Sequence, residues 1–248
     1  MHVDQYDKHA KYGFFIHGAI DGFSRKIMWL HLGNTNRDGA TVLHFYLKCA
    51  LSIGGIPKFV RVDGGTENRL MLQVHSILRK TEPDHKPYFV GRSVHNQRIE
   101  RWWQFLRTHF TQFWMEVFTE MVNLQIYDSS NELHYQLLQF CFTPVLRNNI
   151  KDIVEYWNGH KVRKVSNSQC PAGVPEILFT VPEVYGKSDY RQPVESDLLL
   201  FTNSILGKPL NEYSCSDAYA DICLHLMADM SLRMPYNVFE AVDLFVQL

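Results

Sequence analysis

The sequence predicts an α/β protein built on a mixed five-stranded sheet with flanking helices, followed by a helical C-terminal extension. The first 33 residues contain short apolar runs separated by turn residues, which is typical of hairpin-linked strands. Helical and strand-like patterns then alternate up to about residue 105. The resulting order, β-β-β-α-β-α-β-α, is typical of a mixed sheet that carries helices on its faces.

The first three strands are predicted from short apolar segments. Residues 1–7 form a short strand that carries Asp4, and residues 12–21 are too short for a helix but rich in aromatic and β-branched residues. Residues 21–24 are a turn signal, and residues 26–32 form the returning strand. We therefore expect a three-stranded antiparallel meander.

Helices and strands alternate in the next part of the chain. Helical spacing of apolar residues predicts helices over 38–52 and 67–78, and Asp38 is suited to cap the first of them. Short buried-type strands are predicted over 58–63 and 86–90, before a further helix that begins near residue 96.

The remainder of the chain is predicted to be mainly helical. From about residue 105 to 157, Leu, Phe and Trp recur at helical spacing, with a break expected near Pro144. Residues 159–195 are loop-rich, and helical stretches are predicted over 217–232 and 236–246.

Two adjacent tryptophans lie in the helix that begins near residue 96. Trp102 and Trp103 cannot both face the core on one side of a regular helix, because neighbouring residues point in different directions. We expect one of them to be exposed to a partner or covered by the helices that follow.

The composition is that of a globular protein without overall basic character. Of its 248 residues, 46% are hydrophobic and 21% are charged, and the formal net charge is −1, so any nucleic-acid surface must be local. The five cysteines form no C-x-x-C pair, which favours reduced intracellular thiols over disulfides or a zinc site. No apolar run reaches 18 residues and no secretory signal is apparent, so we expect no membrane segment.

Three carboxylates occupy particular places in this predicted order. Asp4 lies on the first strand, Asp63 closes the fourth, and Glu100 lies in the first turns of the helix after the fifth strand. If the first and fourth strands pair at the centre of the sheet, the three carboxylates converge and repel one another unless a cation neutralises them. This arrangement predicts a Mg²⁺ or Mn²⁺ site, because these ions prefer carboxylate oxygens.

Each acid also has an ordinary interpretation. Asp4 would be a surface residue, Asp63 would belong to a turn with the two glycines after it, and Glu100 would form weak surface ion pairs. Asp21 competes with Asp4 but precedes a turn that explains it, and Asp7 is a more distant candidate. We favour Asp4 because its strand is expected to lie beside the strand that carries Asp63.

Basic and polar residues near the third acid are suited to phosphate contacts. Arg98 and Arg101 flank Glu100, and backbone amides at the start of a helix favour an anion. A second basic group follows Trp157, although a solvated loop would also explain it. The predicted DNA-binding residues are His95, Asn96, Gln97, Arg98, Arg101, Lys161, Arg163 and Lys164.

Several segments carry a recognisable pattern in a fixed order. They are HVD at residues 2–4, IDGFSR at 20–25, VRVDGGTEN at 60–68, SVHNQRIER at 93–101 and YWN at 156–158. Together they resemble the catalytic core of DDE integrases, the group of retroviral integrases and related transposases, over residues 1–178. The spacing between the second and third acids, with 36 intervening residues, is close to that of the D,D-35-E pattern. The form GRSVHNQRIERWW most resembles transposon-derived, integrase-core-like proteins of eukaryotic genomes.

The resemblance implies a ribonuclease-H-like fold for residues 1–178, with residues 179–248 as a C-terminal extension that is mostly loop and then helical. It implies a Mg²⁺-dependent (or Mn²⁺-dependent) polynucleotidyl transferase that cuts a DNA strand and joins a 3′-hydroxyl to target DNA. Asp4, Asp63 and Glu100 would be the catalytic metal ligands. It also implies DNA as a partner, a homodimer or higher assembly, and an intracellular, nuclear location.

Two alternatives remain at this stage. The chain could be a domesticated, catalytically inactive module that binds nucleic acid or protein, which the near-neutral charge favours. It could also carry out ribonuclease-H-type hydrolysis, because that activity uses the same fold and metal chemistry.

Overall fold

A mixed sheet forms the centre of the computed structural model, which describes residues 1–80, 86–91, 96–164 and 170–248. Its five strands are β1 (His2–Tyr6), β2 (Phe15–Ile20), β3 (Ile27–Gly33), β4 (Val60–Val62) and β5 (Tyr88–Val90). They lie in the order β3-β2-β1-β4-β5. The predicted mixed five-stranded sheet is confirmed.

The strand register places β1 between the antiparallel and parallel parts of the sheet. β1, β2 and β3 form the expected antiparallel meander, with Asp4 opposite Gly18. On its other side, β1 pairs in parallel with β4 through His2 and Arg61, and β4 pairs in parallel with β5. The first and fourth strands are therefore neighbours, as predicted.

Helices cover both faces of the sheet. Asp38 caps the first of them by accepting a hydrogen bond from the Ala40 N–H, as expected. None of the helices in the described parts of the chain is both long and apolar enough to cross a membrane. The helices are α1 (Gly39–Ile53), α2 (Arg69–Leu78), α3 (Gln97–Leu106), α4 (Gln112–Asn123), α5 (Glu132–Gly159), α6 (Pro175–Thr180), α7 (Ser196–Leu206), α8 (Asp217–Asp229) and α9 (Val238–Gln247).

The break expected near Pro144 is wrong. α5 runs without interruption over 28 residues, with Pro144 in its interior. A proline inside a helix removes one backbone hydrogen bond and costs about 3 kcal/mol. Its neighbours Thr143 and Val145 are buried, and packing of this buried surface outweighs that cost.

Two apolar cores lie on opposite faces of the sheet, and the C-terminal extension contributes to both. The core under α3, α4 and α5 includes Phe118 and Phe142 together with Phe245 of α9. The core under α1 and α2 includes Tyr46 together with Leu199 of α7. The extension therefore packs closely on the rest of the chain, with α7 against α1 and α9 against α5.

Polar contacts also hold the C-terminal extension against the rest of the chain. Residues Ile56 and Gln192 exchange two backbone hydrogen bonds of 2.9 and 2.8 Å. The Arg147 guanidinium on α5 donates to the carbonyl of Leu32 on β3 at 3.0 Å and to that of Asn211 in the extension at 2.8 Å. The five cysteines are free thiols inside the fold.

His9, His17 and His75 are buried in the neutral form. Burial lowers the pKa of His9 to about 4, of His17 to about 3 and of His75 to about 4. His17 accepts a hydrogen bond from the indole N–H of Trp29 at 3.1 Å, a contact that requires an unprotonated Nδ1. Each of these side chains binds a proton less readily in the folded state than in the unfolded state.

We predict that His17→Asn makes the protein less sensitive to acid. Because the folded pKa lies below the unfolded value of about 6.5, stability is lost as the pH falls below 6.5, by about 2 kcal/mol per histidine at pH 5. Between pH 7 and pH 5, the free energy of unfolding, measured with urea, should fall by about 2 kcal/mol less in His17→Asn than in the wild type. The control is His225→Asn on the exposed surface of α8, and equal losses in both variants would contradict the prediction.

Candidate active site

Asp4 lies on the central strand and is held by a tryptophan of α3. Its side chain is 6% exposed, and its Oδ2 accepts a hydrogen bond of 2.8 Å from Trp103 Nε1. The facing residue on β2 is Gly18, where a Cβ would stand only 2.8 Å from the Trp103 ring. A glycine opposite Asp4 therefore makes the room in which the indole reaches the carboxylate.

Asp63 follows β4 directly and is oriented by the turn after it. Its Oδ1 accepts hydrogen bonds from the Gly65 N–H at 3.2 Å and from Asn68 Nδ2 at 3.3 Å. Asn68 also donates to the buried carboxylate of Glu67 at 2.5 Å. The short turn thus fixes one oxygen of Asp63 beside the central strands.

Glu100 is placed in the first turn of α3, and the start of this helix is anchored on β1. Asn96 is buried, donates through Nδ2 to the Val3 carbonyl at 2.8 Å, and contacts His2 Nδ1 through Oδ1 at 2.8 Å. The Glu100 N–H in turn donates to the Asn96 carbonyl at 3.2 Å. Asn96 therefore holds the third acid beside the strand that carries the first.

The three carboxylates interact through their charges. Burial, together with the smaller effect of the charges of Glu100 and Asp63, raises the pKa of Asp4 to about 7, and the Trp103 hydrogen bond opposes the shift. Burial and the charge of Asp63 also raise the pKa of Glu100. None of the three forms a salt bridge with a lysine or arginine in the described parts of the chain.

This donor set suits a divalent cation by its chemistry. Carboxylate oxygens are the ligands that Mg²⁺ and Mn²⁺ prefer, and the negative charge at the site has no cationic partner among the described side chains. Within residues 1–80, 86–91, 96–164 and 170–248, no group of three or more His, Cys, Asp or Glu side chains is gathered as the ligands of one ion. The acids are therefore coupled by charge and do not surround a single point.

The two other candidates for the first acid serve local structure. Asp21 Oδ2 accepts hydrogen bonds from the Phe23 N–H at 3.1 Å and from the N–H and hydroxyl of Ser24 at 2.7 and 2.8 Å. Asp7 pairs with Asn36. These contacts are those of a turn residue and a loop residue.

The predicted DNA-binding residues differ in exposure. Gln97 and Arg101 on α3, and Lys161, Arg163 and Lys164 after α5, are exposed. Arg98 is half-buried, Asn96 is buried as described above, and His95 lies outside the described residues. The ends of the two helices that carry these groups are joined by the rings of Phe105 and Trp157, whose centroids are 4.7 Å apart.

Both tryptophans of α3 are buried. Trp103 packs against Tyr6 of β1, with ring centroids 5.0 Å apart. Trp102 packs edge-on against Trp157 of α5 at 6.0 Å. The expectation that following helices cover one of them is confirmed, because Trp157 of α5 packs on Trp102, and neither tryptophan is exposed to a partner.

The sequence did not identify Trp103 or Asn96 as residues that position the site. The spacing of Trp103 three residues after Glu100 places both on one side of the helix, which is the available signal. The role of Asn96 depends on the register of α3 against β1, which only the folded chain shows.

One of the comparisons with known proteins gives a match. A family model described as an integrase core domain matches residues 1–179. The chain belongs to the integrase core domain family. No curated protein and no solved structure matches it. The match confirms the resemblance and the ribonuclease-H-like fold, and it places this integrase core generally among the polynucleotidyl transferases.

We predict that Asp4→Asn stabilises the metal-free integrase core at alkaline pH. The raised pKa means that the ionised carboxylate disfavours the folded state, by up to about 4 kcal/mol at pH 8, and that this cost shrinks as the pH falls. The amide keeps an acceptor for Trp103 without the charge. Urea unfolding in EDTA should give Asp4→Asn a higher free energy of unfolding than the wild type at pH 8, and the difference should be smaller at pH 5.

The matched control is Asp243→Asn on the exposed side of α9. It should leave the free energy of unfolding within about 0.5 kcal/mol of the wild type. A similar gain in both variants, or a loss in Asp4→Asn, would show that Asp4 is not strained by its neighbours.

Proposed function

We propose that this chain is a divalent-metal-dependent polynucleotidyl transferase that cuts and joins DNA strands with Asp4, Asp63 and Glu100. The observation that supports it most is that Asp4 is a buried carboxylate beside two other acids: burial, with a further contribution from the charges of Glu100 and Asp63, raises its pKa to about 7. Such strain is typical of functional sites, because a structural role would favour a neutralising partner. Membership of the integrase core family supplies the class of reaction.

The three acids and their neighbours have different roles in the proposed reaction. Asp4 and Asp63 would share one Mg²⁺ or Mn²⁺ ion, and Glu100 with one of them would hold a second. When bound, such ions activate an attacking hydroxyl and stabilise the leaving oxygen of a phosphodiester. Trp103 keeps Asp4 oriented, and because the turn binds Asp63 Oδ1, Oδ2 is the oxygen that would bind a cation. No nucleophile from the protein is needed, since water or a 3′-hydroxyl attacks.

DNA contacts are assigned to cations near this site, all of them exposed except the half-buried Arg98. Arg98 and Arg101 share α3 with Glu100, and Lys161, Arg163 and Lys164 follow the end of α5. Gln97 is exposed at the start of α3 and is suited to a sugar or phosphate contact. Assembly as a homodimer or larger oligomer belongs to the same proposal.

We predict that Mg²⁺ or Mn²⁺ stabilises the wild type and that Asp63→Asn abolishes the effect. At a metal concentration 100 times the Kd, binding adds about 2.7 kcal/mol, or about 5–10 °C in Tm. The same variant should lose metal-dependent cutting of a labelled DNA duplex. The measurements are thermal unfolding with and without metal and gel analysis of the DNA products.

Asp243→Asn serves as the control and should behave like the wild type in both assays. The absence of any metal effect on the wild type would contradict the proposal and would leave a binding module without catalysis. Preference for an RNA–DNA hybrid over DNA would instead indicate ribonuclease-H-type hydrolysis.

We also predict that the triple variant Lys161→Ala, Arg163→Ala and Lys164→Ala weakens DNA binding and its salt dependence. Each lost phosphate contact lowers the slope of log K against log salt by about 0.9 for duplex DNA, so the slope should fall by about 2–3. Fluorescence anisotropy at several salt concentrations measures this slope. An equal fall in Lys48→Ala, Lys58→Ala and Lys187→Ala, which removes three exposed lysines elsewhere, would contradict a specific role for this segment.

A further inference from the structure

The ends of α3 and α5 bring four rings close together on the surface. Phe105 stacks on His109 with centroids 4.0 Å apart and planes at 25°. Tyr156 stacks on His160 at 5.4 Å with planes at 1°, and Phe105 lies parallel to both of these rings within 5°. We call Phe105, His109, Tyr156 and His160 the ring layer. Tyr156 is 61% exposed, so the layer presents an aromatic face to solvent.

The ring layer is held in place by the backbone. A π-helical turn, Arg107–Thr111, joins α3 to α4, and it carries His109, whose Nδ1 bonds the Phe105 carbonyl at 2.9 Å. The Nδ1 of His160 bonds the Trp157 carbonyl at 2.8 Å. Trp157 itself donates to the Arg25 carbonyl at 2.8 Å. Since single π-helical turns are frequent at functional sites, this local geometry supports a binding role.

Exposed cations lie beside the ring layer along the chain. Arg101 lies one turn before Phe105 on α3. Lys161, Arg163 and Lys164 come directly after His160. The acid beside Tyr156, Glu155, is exposed and lies 3.9 Å from Lys151 in an ion pair. A single exposed tyrosine needs no explanation, but parallel rings with four exposed cations close by in the chain match the chemistry of a nucleic-acid strand.

The ring layer shares α3 with the proposed catalytic acid. Glu100 and Phe105 are five positions apart, or about 7.5 Å along the helix axis. Glu100 faces the other acids, whereas Phe105 faces α5. A strand that passes Glu100 would therefore reach the ring layer within a few nucleotides.

We infer that the ring layer binds an unpaired DNA strand, with a base stacked on Tyr156 and phosphates against the nearby cations. Bases inside a duplex are stacked on one another and cannot reach this surface, so the preferred substrate has a single-stranded end or gap beside the cut. The inference rests on the proposed function for the identity of the nucleic acid as DNA. It adds the class of substrate and the residues that select it.

The test compares binding of single-stranded and duplex DNA in EDTA, where no strand is cut. Fluorescence anisotropy with a labelled mixed-sequence 20-mer should give a Kd for the single strand about tenfold higher in Tyr156→Ala than in the wild type. Tyr156→Phe should restore the wild-type Kd, because stacking needs the ring and not the hydroxyl. Duplex affinity should change less than twofold in either variant.

A second readout follows the stacked base itself. A strand that contains 2-aminopurine should lose fluorescence on binding the wild type and Tyr156→Phe, but not on binding Tyr156→Ala. The control is Tyr236→Ala, which removes another solvent-exposed tyrosine, 79% exposed, in the segment before α9 and should match the wild type.

Three results would overturn the inference. They are equal single-strand affinities in Tyr156→Ala and Tyr236→Ala, an equal loss for single strand and duplex, and tighter binding of RNA than of DNA of the same sequence. The outcome is separable from that of the proposed function. If the protein binds single strands through Tyr156 but never cuts DNA, the ring-layer inference is supported and the catalytic proposal is contradicted. If it cuts DNA and Tyr156→Ala has no effect on binding, the catalytic proposal is supported and the ring-layer inference is contradicted.

Discussion

The hydrogen bond between the Trp103 indole and the Asp4 carboxylate is the contact on which the site depends. It joins α3 to the central strand, and the ring fits there only because Gly18 on the neighbouring strand has no side chain. Asn96 makes a second attachment at the start of the same helix. Together these contacts fix the position of α3 against β1. In that position, Glu100 lies close enough to Asp4 and Asp63 for their charges to interact.

The same arrangement creates a conflict between stability and chemistry. A buried carboxylate with two acidic neighbours disfavours folding, and the described side chains offer it an indole and no cation. The two apolar cores offset this cost, with rings such as Phe118 and Phe142 packed edge to face at 5.2 Å. The protein thus tolerates strain at the centre of the sheet because large aromatic side chains are buried around it.

Much of the fold could be predicted from the sequence, because hairpin signals and alternating patterns are local. The neighbouring positions of β1 and β4, which bring Asp4 and Asp63 together, follow from that order of elements. Features that depend on packing could not be predicted. α5 continues through Pro144 because buried residues surround it, and Trp102 is covered because Trp157 of α5 packs on it. The choice of Asp4, Asp63 and Glu100 as ligands stays a prediction.

The C-terminal extension shares both apolar cores with the integrase core domain, and this has a consequence for the evolution and the folding of the chain. The family match ends at residue 179, yet Leu199 and Phe245 each complete a core that begins within it. The evolutionary module and the cooperative folding unit of this chain therefore differ in length. A gene fragment that ended at the family boundary would encode the three acids but would leave apolar surfaces of α1 and α5 open to aggregation.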